Sequence, residues 1–140
     1  METYTVERRV GRLLEMRLLF GVSQEHTQRF LARVGAVLST SREPLVLCVD
    51  LRDSRLFPPE ISEQILSFMR TMNPYVERSA LLVGGQSAMF GLQIERLVRG
   101  GAHPSRRTFR DPEAATRWLA QVLTPAEQER LRHFVAGAPV

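Results

Sequence analysis

The sequence predicts an α/β protein built on a mostly parallel sheet, and three features of the chain carry that prediction. The N-terminal residues alternate between apolar and polar side chains, which is typical of strands. Two later runs, 44–51 and 76–85, have strand length and are apolar on both faces, as central strands covered by helices are. A segment with apolar residues at three- and four-residue spacing follows each run, so strands and helices alternate.

The N-terminal segment predicts a β-hairpin followed by a first helix. The alternating side chains indicate strands at about 3–9 and 12–19, and Gly11 lies where a turn can join them. Ser23 is a suitable N-cap, and apolar residues recur at helical spacing from about 24 to 40.

The middle of the chain predicts two strand–helix units. The run 44–51 leads to a second helix that ends at the Asn73-Pro74 pair, because the residue before a proline resists the α region. The buried stripe of this helix is expected to consist of Ile61, Ile65, Phe68, Met69 and Met72. The run 76–85 leads to a third helix at about 87–99, which ends at a pair of glycines.

The C-terminal part predicts a short strand and two capped helices. The polar sequence "RRTFR" at 106–110 indicates a strand near an edge of the sheet. Asp111 followed by Pro112 starts one helix, and the capping box "TPAE" at 124–127 starts another at about 125–136. The element order is therefore β-β-α-β-α-β-α-β-α-α, in a mixed sheet of about five strands with right-handed crossovers.

Size and composition indicate an ordinary globular protein. We interpret the 140 residues as one domain, 1–140, because the chain has the length of a single domain. No apolar run is long enough to cross a bilayer and the N-terminus has no signal-peptide core, so we expect a cytoplasmic protein without a membrane span. The single cysteine, Cys48, agrees with a reducing compartment and is expected to be buried and inert.

The charge is that of a basic protein, with a net charge of +4 and a pI of about 10.5. Such a balance favours nucleic acid or another anionic partner. All nineteen basic residues are arginine, however, whereas a surface selected for phosphate would be expected to use lysine too. Nucleic-acid binding is therefore the weakest hypothesis. The lack of lysine also excludes Schiff-base catalysis and a phosphate-binding loop of the kind that requires a lysine.

The sequence shows no catalytic or metal-binding set. His26, His103 and His133 have no paired ligand spacing, no cysteine joins them, and none stands in a triad-like context. The sequence "GGQSAMFG" at 84–91 lacks both the dinucleotide-binding spacing and the lysine of a phosphate loop, so we interpret it as a strand-to-helix turn. We expect a protein that is not an enzyme and that uses no metal and no cofactor.

The element order and two motifs resemble the STAS and anti-sigma-factor-antagonist-like superfamily. The sequence "VDLR" at 49–52 is similar to the end of that superfamily's third strand, and "RTFRDPEAATRWL" at 107–119 is similar to the closing strand and helix of its stand-alone bacterial members. The resemblance covers about residues 4–123. It implies a STAS-like domain that binds a protein partner, with the last helix, about 124–136, as an appendage.

The phosphorylated antagonists of this superfamily carry a serine at the start of the helix that follows this strand, and the serine takes a phosphate. In this chain the matching stretch, 58–61, reads "PPEI" and offers no hydroxyl. Ser54 lies earlier in the loop and does not inherit the role by position. The resemblance thus implies a regulatory module that lacks the usual phosphorylation switch.

The loop after the central strand is the first candidate binding site, because open α/β sheets bind ligands at the carboxyl ends of their strands. Its candidate residues are Asp53, Ser54, Arg55, Phe57 and Glu60. Three alternatives stay open. Asp53 and Ser54 can instead hold the loop by local hydrogen bonds, Phe57 can be a core contact instead of an exposed anchor, and Glu60 can simply stabilise the helix dipole. We favour the core contact for Phe57, and Pro59 is expected to be the first helical residue.

The second candidate site is a basic ridge within residues 96–110. Its members are Arg96, Arg99, Arg106 and Arg107. Such a ridge could contact an acidic protein, an anionic lipid head group or nucleic acid, and the alternative is an ordinary solvated face.

Two main hypotheses about function follow. The first is a non-enzymatic interaction module that binds a protein partner through residues 52–60 and the second helix. The second is a carrier of a small apolar ligand or lipid, in which the stripe of the second helix, with Met89 and Phe90, lines a pocket. A homo-oligomer is compatible with either hypothesis.

Overall fold

The computed structural model describes residues 4–20, 23–85 and 87–137, which form a five-stranded sheet with helices on both faces. The strands are β1 Tyr4–Glu7, β2 Leu13–Phe20, β3 Leu45–Ser54, β4 Val76–Val83 and β5 Arg106–Phe109. The helices are α1 Gln24–Ser39, α2 Pro59–Met72, α3 Ala88–Gly100, α4 Pro112–Ala120 and α5 Pro125–Ala136. The predicted element order is confirmed, with one short 3₁₀ turn, Asn73–Tyr75, added before β4.

The strands follow one another across the sheet in the order β1-β2-β3-β4-β5. β1 is antiparallel to β2, and every other neighbouring pair is parallel, so the predicted mixed, mostly parallel sheet is confirmed. β5 lies at the edge of the sheet, as its polar sequence predicted. Gly11 turns the chain between β1 and β2 with φ +57°, and a Cβ there would clash with the carboxylate of Glu127.

The helix starts follow the local signals in the sequence. The hydroxyl of Ser23 accepts a hydrogen bond from the His26 N–H, and the Thr124–Glu127 capping box is complete. α2 begins at Pro59 without a side-chain cap and ends at Met72, before the Asn73-Pro74 pair. The sequence predicted this end because the residue before a proline resists the α region. That cause is wrong, because Asn73 keeps the α conformation (φ −48°, ψ −41°) and the chain continues into the 3₁₀ turn.

The helices divide between the two faces of the sheet and produce two cores. α1, α2 and α3 cover one face, where Leu14, Leu47 and Leu81 point. α4 and α5 cover the other face, where the intervening strand residues Cys48 and Leu82 point. Cys48 is fully buried, and burial raises the pKa of its thiol to about 12, so this thiol has the inert environment that its sequence context predicted.

α5 is part of the second core. Its residues Leu131, Phe134 and Val135 are buried against the sheet together with Ala115 and Leu119 of α4. The segment that the sequence set apart as an appendage therefore packs into this core beside α4.

Candidate functional site

Asp50, the acid of the "VDLR" motif, forms a buried ion cluster on the α5 face. Its Oδ2 lies 3.0 Å from Arg17 Nε, and its Oδ1 lies 2.9 Å from Arg52 Nε. Burial alone would raise the pKa of Asp50, but hydrogen bonds from Arg52 and Arg17 outweigh burial and hold this pKa below its usual value. The carboxylate is ionised and its oxygens are occupied, so it is not placed to act as a nucleophile or a general base.

The same two arginines hold the end of α5. Arg17 donates to the carbonyl of Phe134 at 3.1 Å, and Arg52 donates to the carbonyl of Val135 at 2.9 Å. The Arg17 guanidinium also lies 4.5 Å from the centroid of the Phe134 ring. The cluster thus ties the C-terminal carbonyls of α5 to the sheet, and we assign it a structural role.

The candidate loop after β3 is ordered by contacts that the sequence did not reveal. Ser54 is the last residue of β3, and its hydroxyl donates to the carbonyl of Leu18 on the neighbouring strand at 2.9 Å. Its hydrogen bond therefore crosses to β2 instead of forming the local turn considered from the sequence. Asp53 at the end of β3, Arg55 in the loop and Glu60 in the first turn of α2 are all exposed.

Phe57 is a core residue, only 6% exposed, and its ring meets the Phe90 ring edge-on at 5.6 Å between centroids. The favoured core contact is confirmed, and the alternative of an exposed anchor is wrong. Gln93 of α3 clamps the backbone on both sides of Phe57: its Oε1 accepts from the Phe57 N–H at 2.9 Å and its Nε2 donates to the Phe57 carbonyl at 2.8 Å. A lone glutamine in a helix gives no sequence signal for such a clamp.

A shallow apolar groove opens beside this loop, between α2 and α3. Among the described residues, three of the most exposed large apolar side chains lie here, Met89 at 68%, Leu92 at 54% and Leu56 at 46%. Glu63 of α2 and Arg96 of α3 are charged residues within the same lining. We call this surface the α2–α3 groove. Met89, considered from the sequence as a pocket residue, lies on this surface instead.

The predicted basic ridge is not one surface. Arg96, Arg99 and Arg107 are exposed, but Arg106 is buried, with 6% of its surface accessible. Arg106 and Arg107 are successive residues of β5, so their side chains point to opposite faces of the sheet. Arg107 stacks its guanidinium 4.8 Å from the centroid of Trp118 in α4, whereas Arg106 faces the α1–α3 side.

A cavity of about 90 Å³ lies between the sheet and the helices α1, α2 and α3. Its lining is apolar except for Ser79 and Arg106. Only Ile61 of the predicted α2 stripe is fully buried. The other four members are half-buried and line this cavity: Ile65, Phe68, Met69 and Met72. The predicted stripe therefore faces inward, but four of its five members are only half-buried, because they border this cavity.

Other kinds of site find no support in the described residues. No group of histidine, cysteine or acidic side chains within 4–20, 23–85 and 87–137 is arranged to hold a metal ion. None of the helices in the described part of the chain is long and apolar enough to cross a membrane.

Comparison with solved structures places this geometry in a known fold. An uncharacterized protein of the DUF3478 family with a SpoIIAA-like fold, from Shewanella loihica PV-4, matches with a TM-score of 0.65 at 12% identity, over 85% of this chain and 95% of that chain. The anti-sigma factor antagonist SpoIIAA, in its unphosphorylated form, matches with a TM-score of 0.60 at 13% identity, over 86% and 99%. No family model and no curated protein matches the sequence.

The chain therefore has the STAS-like fold, and the resemblance seen in the sequence is confirmed at the level of fold. More narrowly, its sheet and helices are arranged as in SpoIIAA.

Proposed function

We propose that this protein is a non-enzymatic, STAS-like regulatory module that docks a protein partner in the α2–α3 groove. The observation that carries the proposal is the clustering of Met89, Leu92 and Leu56, exposed side by side on one surface. Contiguous exposed apolar patches with a polar rim are typical of interaction sites. The proposal includes a cytoplasmic location, as expected for a bacterial regulator of this kind.

The groove is suited to an amphipathic helix of the partner, which would insert apolar side chains at helical spacing between α2 and α3. Asp53, Arg55 and Glu60 lie on and beside the neighbouring loop, where they would set the orientation of the partner and the rate of association. The Gln93 clamp on Phe57 holds this loop in one conformation, which lowers the entropy that binding must overcome.

The partner would be bound without the phosphorylation switch of the antagonists. Residues 58–61 offer no hydroxyl at the start of α2, and the Ser54 hydroxyl is engaged with the Leu18 carbonyl. We therefore propose that partner binding is controlled by something other than a phosphate at this loop.

The test is a pair of surface variants. Met89→Asp combined with Leu92→Asp places two charges in the groove, and Tyr75→Asp places one charge on an exposed residue outside its lining. Partners retained by the wild type would be identified after crosslinking in native cells, purified, and titrated by calorimetry. We expect the groove variant to bind at least about tenfold more weakly, since truncated anchors commonly cost that much, and the control to bind as the wild type does.

Equal affinity of both variants for the purified partner would refute the proposal, as would the lack of any specific partner. A homo-oligomer formed through the groove is a distinct outcome, because light scattering would show the groove variant alone to be monomeric.

A second candidate function, a carrier of a small apolar ligand, is favoured by the cavity beneath α2. Natural cores rarely leave several apolar side chains of one helix facing unfilled space. Native mass spectrometry before and after solvent extraction tests it, and an unchanged apo mass in both samples would count against it.

Nucleic-acid binding is the third hypothesis. The charges do not support it, because several arginines form ion pairs within the protein. Arg12, Arg17, Arg52 and Arg130 each pair with a carboxylate inside the protein. A salt-dependent shift with generic DNA or RNA would revive it.

A further inference from the structure

We propose that the cavity beneath α2 binds the carboxylate of a small aliphatic acid, with Arg106 as the head-group ligand. This inference rests on the second candidate function, the small-ligand carrier, and names the chemistry of its ligand. Two features carry it together: a cavity with an almost wholly apolar lining and a buried guanidinium in its wall that is incompletely paired.

The guanidinium of Arg106 is fixed through one amino group, and the other amino group has no hydrogen-bond partner among the described residues. Its Nη2 donates to Asn73 Oδ1 at 2.9 Å, and the Asn73 amide in turn donates to the carbonyl of Gly101 at 2.7 Å. The other amino group, Nη1, is buried and has no hydrogen-bond partner among the described residues. Buried polar atoms are rarely left unpaired, so an unpaired guanidinium nitrogen calls for an acceptor.

No carboxylate of the described chain neutralises this arginine. Burial lowers the pKa of Arg106 to about 10, and no acidic side chain raises it again. This differs from Arg12, Arg52 and Arg130, whose carboxylate partners raise their pKa values. A cation buried without a counter-charge is costly, and an anionic ligand would supply the missing charge and acceptor together.

Residues without bulky side chains lie next to the guanidinium of Arg106. A Cβ on Gly101 would lie 2.9 Å from Arg106 Nη1, so even alanine would crowd the unpaired nitrogen. Ser79, the other polar residue of the cavity lining, is the β4 residue opposite Arg106 in the register of β4 and β5.

The rest of the lining selects an aliphatic tail of limited length. The cavity volume of about 90 Å³ is smaller than the roughly 150 Å³ of an engineered apolar cavity that binds benzene, so only a short tail fits. Met69 and Met72 border the space, and methionine side chains adapt to fill or release volume. A short acid such as butyrate therefore fits with small side-chain shifts, and longer tails require α2 to move outward.

The test uses the methionine methyl groups as reporters in NMR titrations of the full chain. Met16, Met69 and Met72 line the cavity, whereas Met89 lies in the α2–α3 groove and serves as an internal control. The probes are butyrate, its neutral analogue butyramide, and acetate, which has the head group but no tail. We expect butyrate to shift the cavity methyls but not Met89, and to bind at least about tenfold more tightly than butyramide.

The first variant is Arg106→Met, which retains an unbranched side chain but removes the guanidinium. The control variant is Arg107→Gln, at the exposed neighbouring position on β5. Arg106→Met should remove the preference for butyrate over butyramide, while Arg107→Gln should keep it. Because a buried cation without a counter-charge is destabilising, Arg106→Met should also unfold at an equal or higher temperature than the wild type.

The outcomes separate this inference from the carrier function on which it rests. Binding of butyramide and butyrate with equal affinity would leave the carrier function intact and overturn the role of Arg106. Unchanged butyrate affinity in Arg106→Met would overturn it as well. If no probe shifts the cavity methyls, and native mass spectrometry also finds no ligand, both the role of Arg106 and the carrier function are overturned.

Discussion

The face of the sheet under α4 and α5 is closed by fully buried side chains and by paired charges, whereas the face under α1, α2 and α3 retains a cavity. On the closed face, Leu13, Leu119 and Leu131 have no accessible surface, and Glu15 receives two hydrogen bonds from Arg130. On the open face, most of the apolar stripe of α2 is only half-buried and Arg106 is incompletely paired.

This difference indicates that the two faces of the sheet have different roles. The closed face supplies packing and ion pairs that fix the sheet, and the open face keeps adaptable side chains and exposed apolar surface next to one another. Regions that bind ligands are commonly the less stable parts of a fold, and α2 has the features of such a region.

The largest expected effect is that of Asp50→Ala on the closed face. The substitution removes the carboxylate and leaves Arg17 and Arg52 partly buried without their counter-charge, at a cost of about 3 to 5 kcal/mol in the free energy of unfolding. Urea denaturation would measure it, and the exposed Asp53→Ala is the matched control, with an expected change within about 0.5 kcal/mol. Equal effects of the two substitutions would show that the ion cluster does not hold α5.

A second comparison removes one large side chain from each face. Leu131→Ala should lower the free energy of unfolding by about 3 kcal/mol, because the site is fully buried and well packed. Met72→Ala should cost about 1 kcal/mol, because the side chain is half-buried beside an existing cavity. Thermal unfolding of both variants tests the contrast, which would be lost if their melting temperatures fell equally.

Acid should weaken the closed face through its carboxylates. The pKa values of Asp50 and Glu127 are lower in the folded protein than their ordinary values. The stability that they contribute is present above the ordinary carboxyl pKa and is lost as the pH falls through the folded-state values. Unfolding curves between about pH 7 and pH 3 should therefore show a decline that is smaller in Asp50→Asn. An identical decline in that variant would assign the acid sensitivity to other groups.

The smallest expected effect is at the start of α5. Thr124→Ala removes the hydroxyl that accepts from the Glu127 N–H, and such caps contribute about 1 kcal/mol. Circular dichroism during urea unfolding measures the loss. Ser23→Ala is the companion change at α1 on the open face, where a cap of the same kind accepts from His26 and a similar loss is expected.

Local sequence signals were sufficient for the element order and for most helix ends. Ser23, Asp111 and the Thr124 capping box act within a few residues, so their effect can be seen in the sequence itself. The opposite orientations of Arg106 and Arg107 were also available from strand alternation, and the predicted ridge overlooked them.

The remaining features depend on register and packing between distant segments. Arg17 lies opposite Asp50 only because β2 and β3 pair in one particular register, and Gln93 clamps Phe57 across 36 positions of sequence. An apolar stripe likewise predicts which side of α2 faces inward, but not whether the opposing side chains fill the space beneath it. The sequence therefore offered a pocket beneath α2 only as one of two alternatives, and it gave no indication of the α2–α3 groove.

Hydrogen–deuterium exchange across α2 and α5 tests the division between the two faces most directly. The backbone amides in the middle of α2 should exchange faster than those of α5, since α2 stands over unfilled space while α5 is buried and held by Arg17 and Arg52. Equal protection of the two helices, or faster exchange in α5, would contradict the view that the protein keeps one face rigid and the other adaptable.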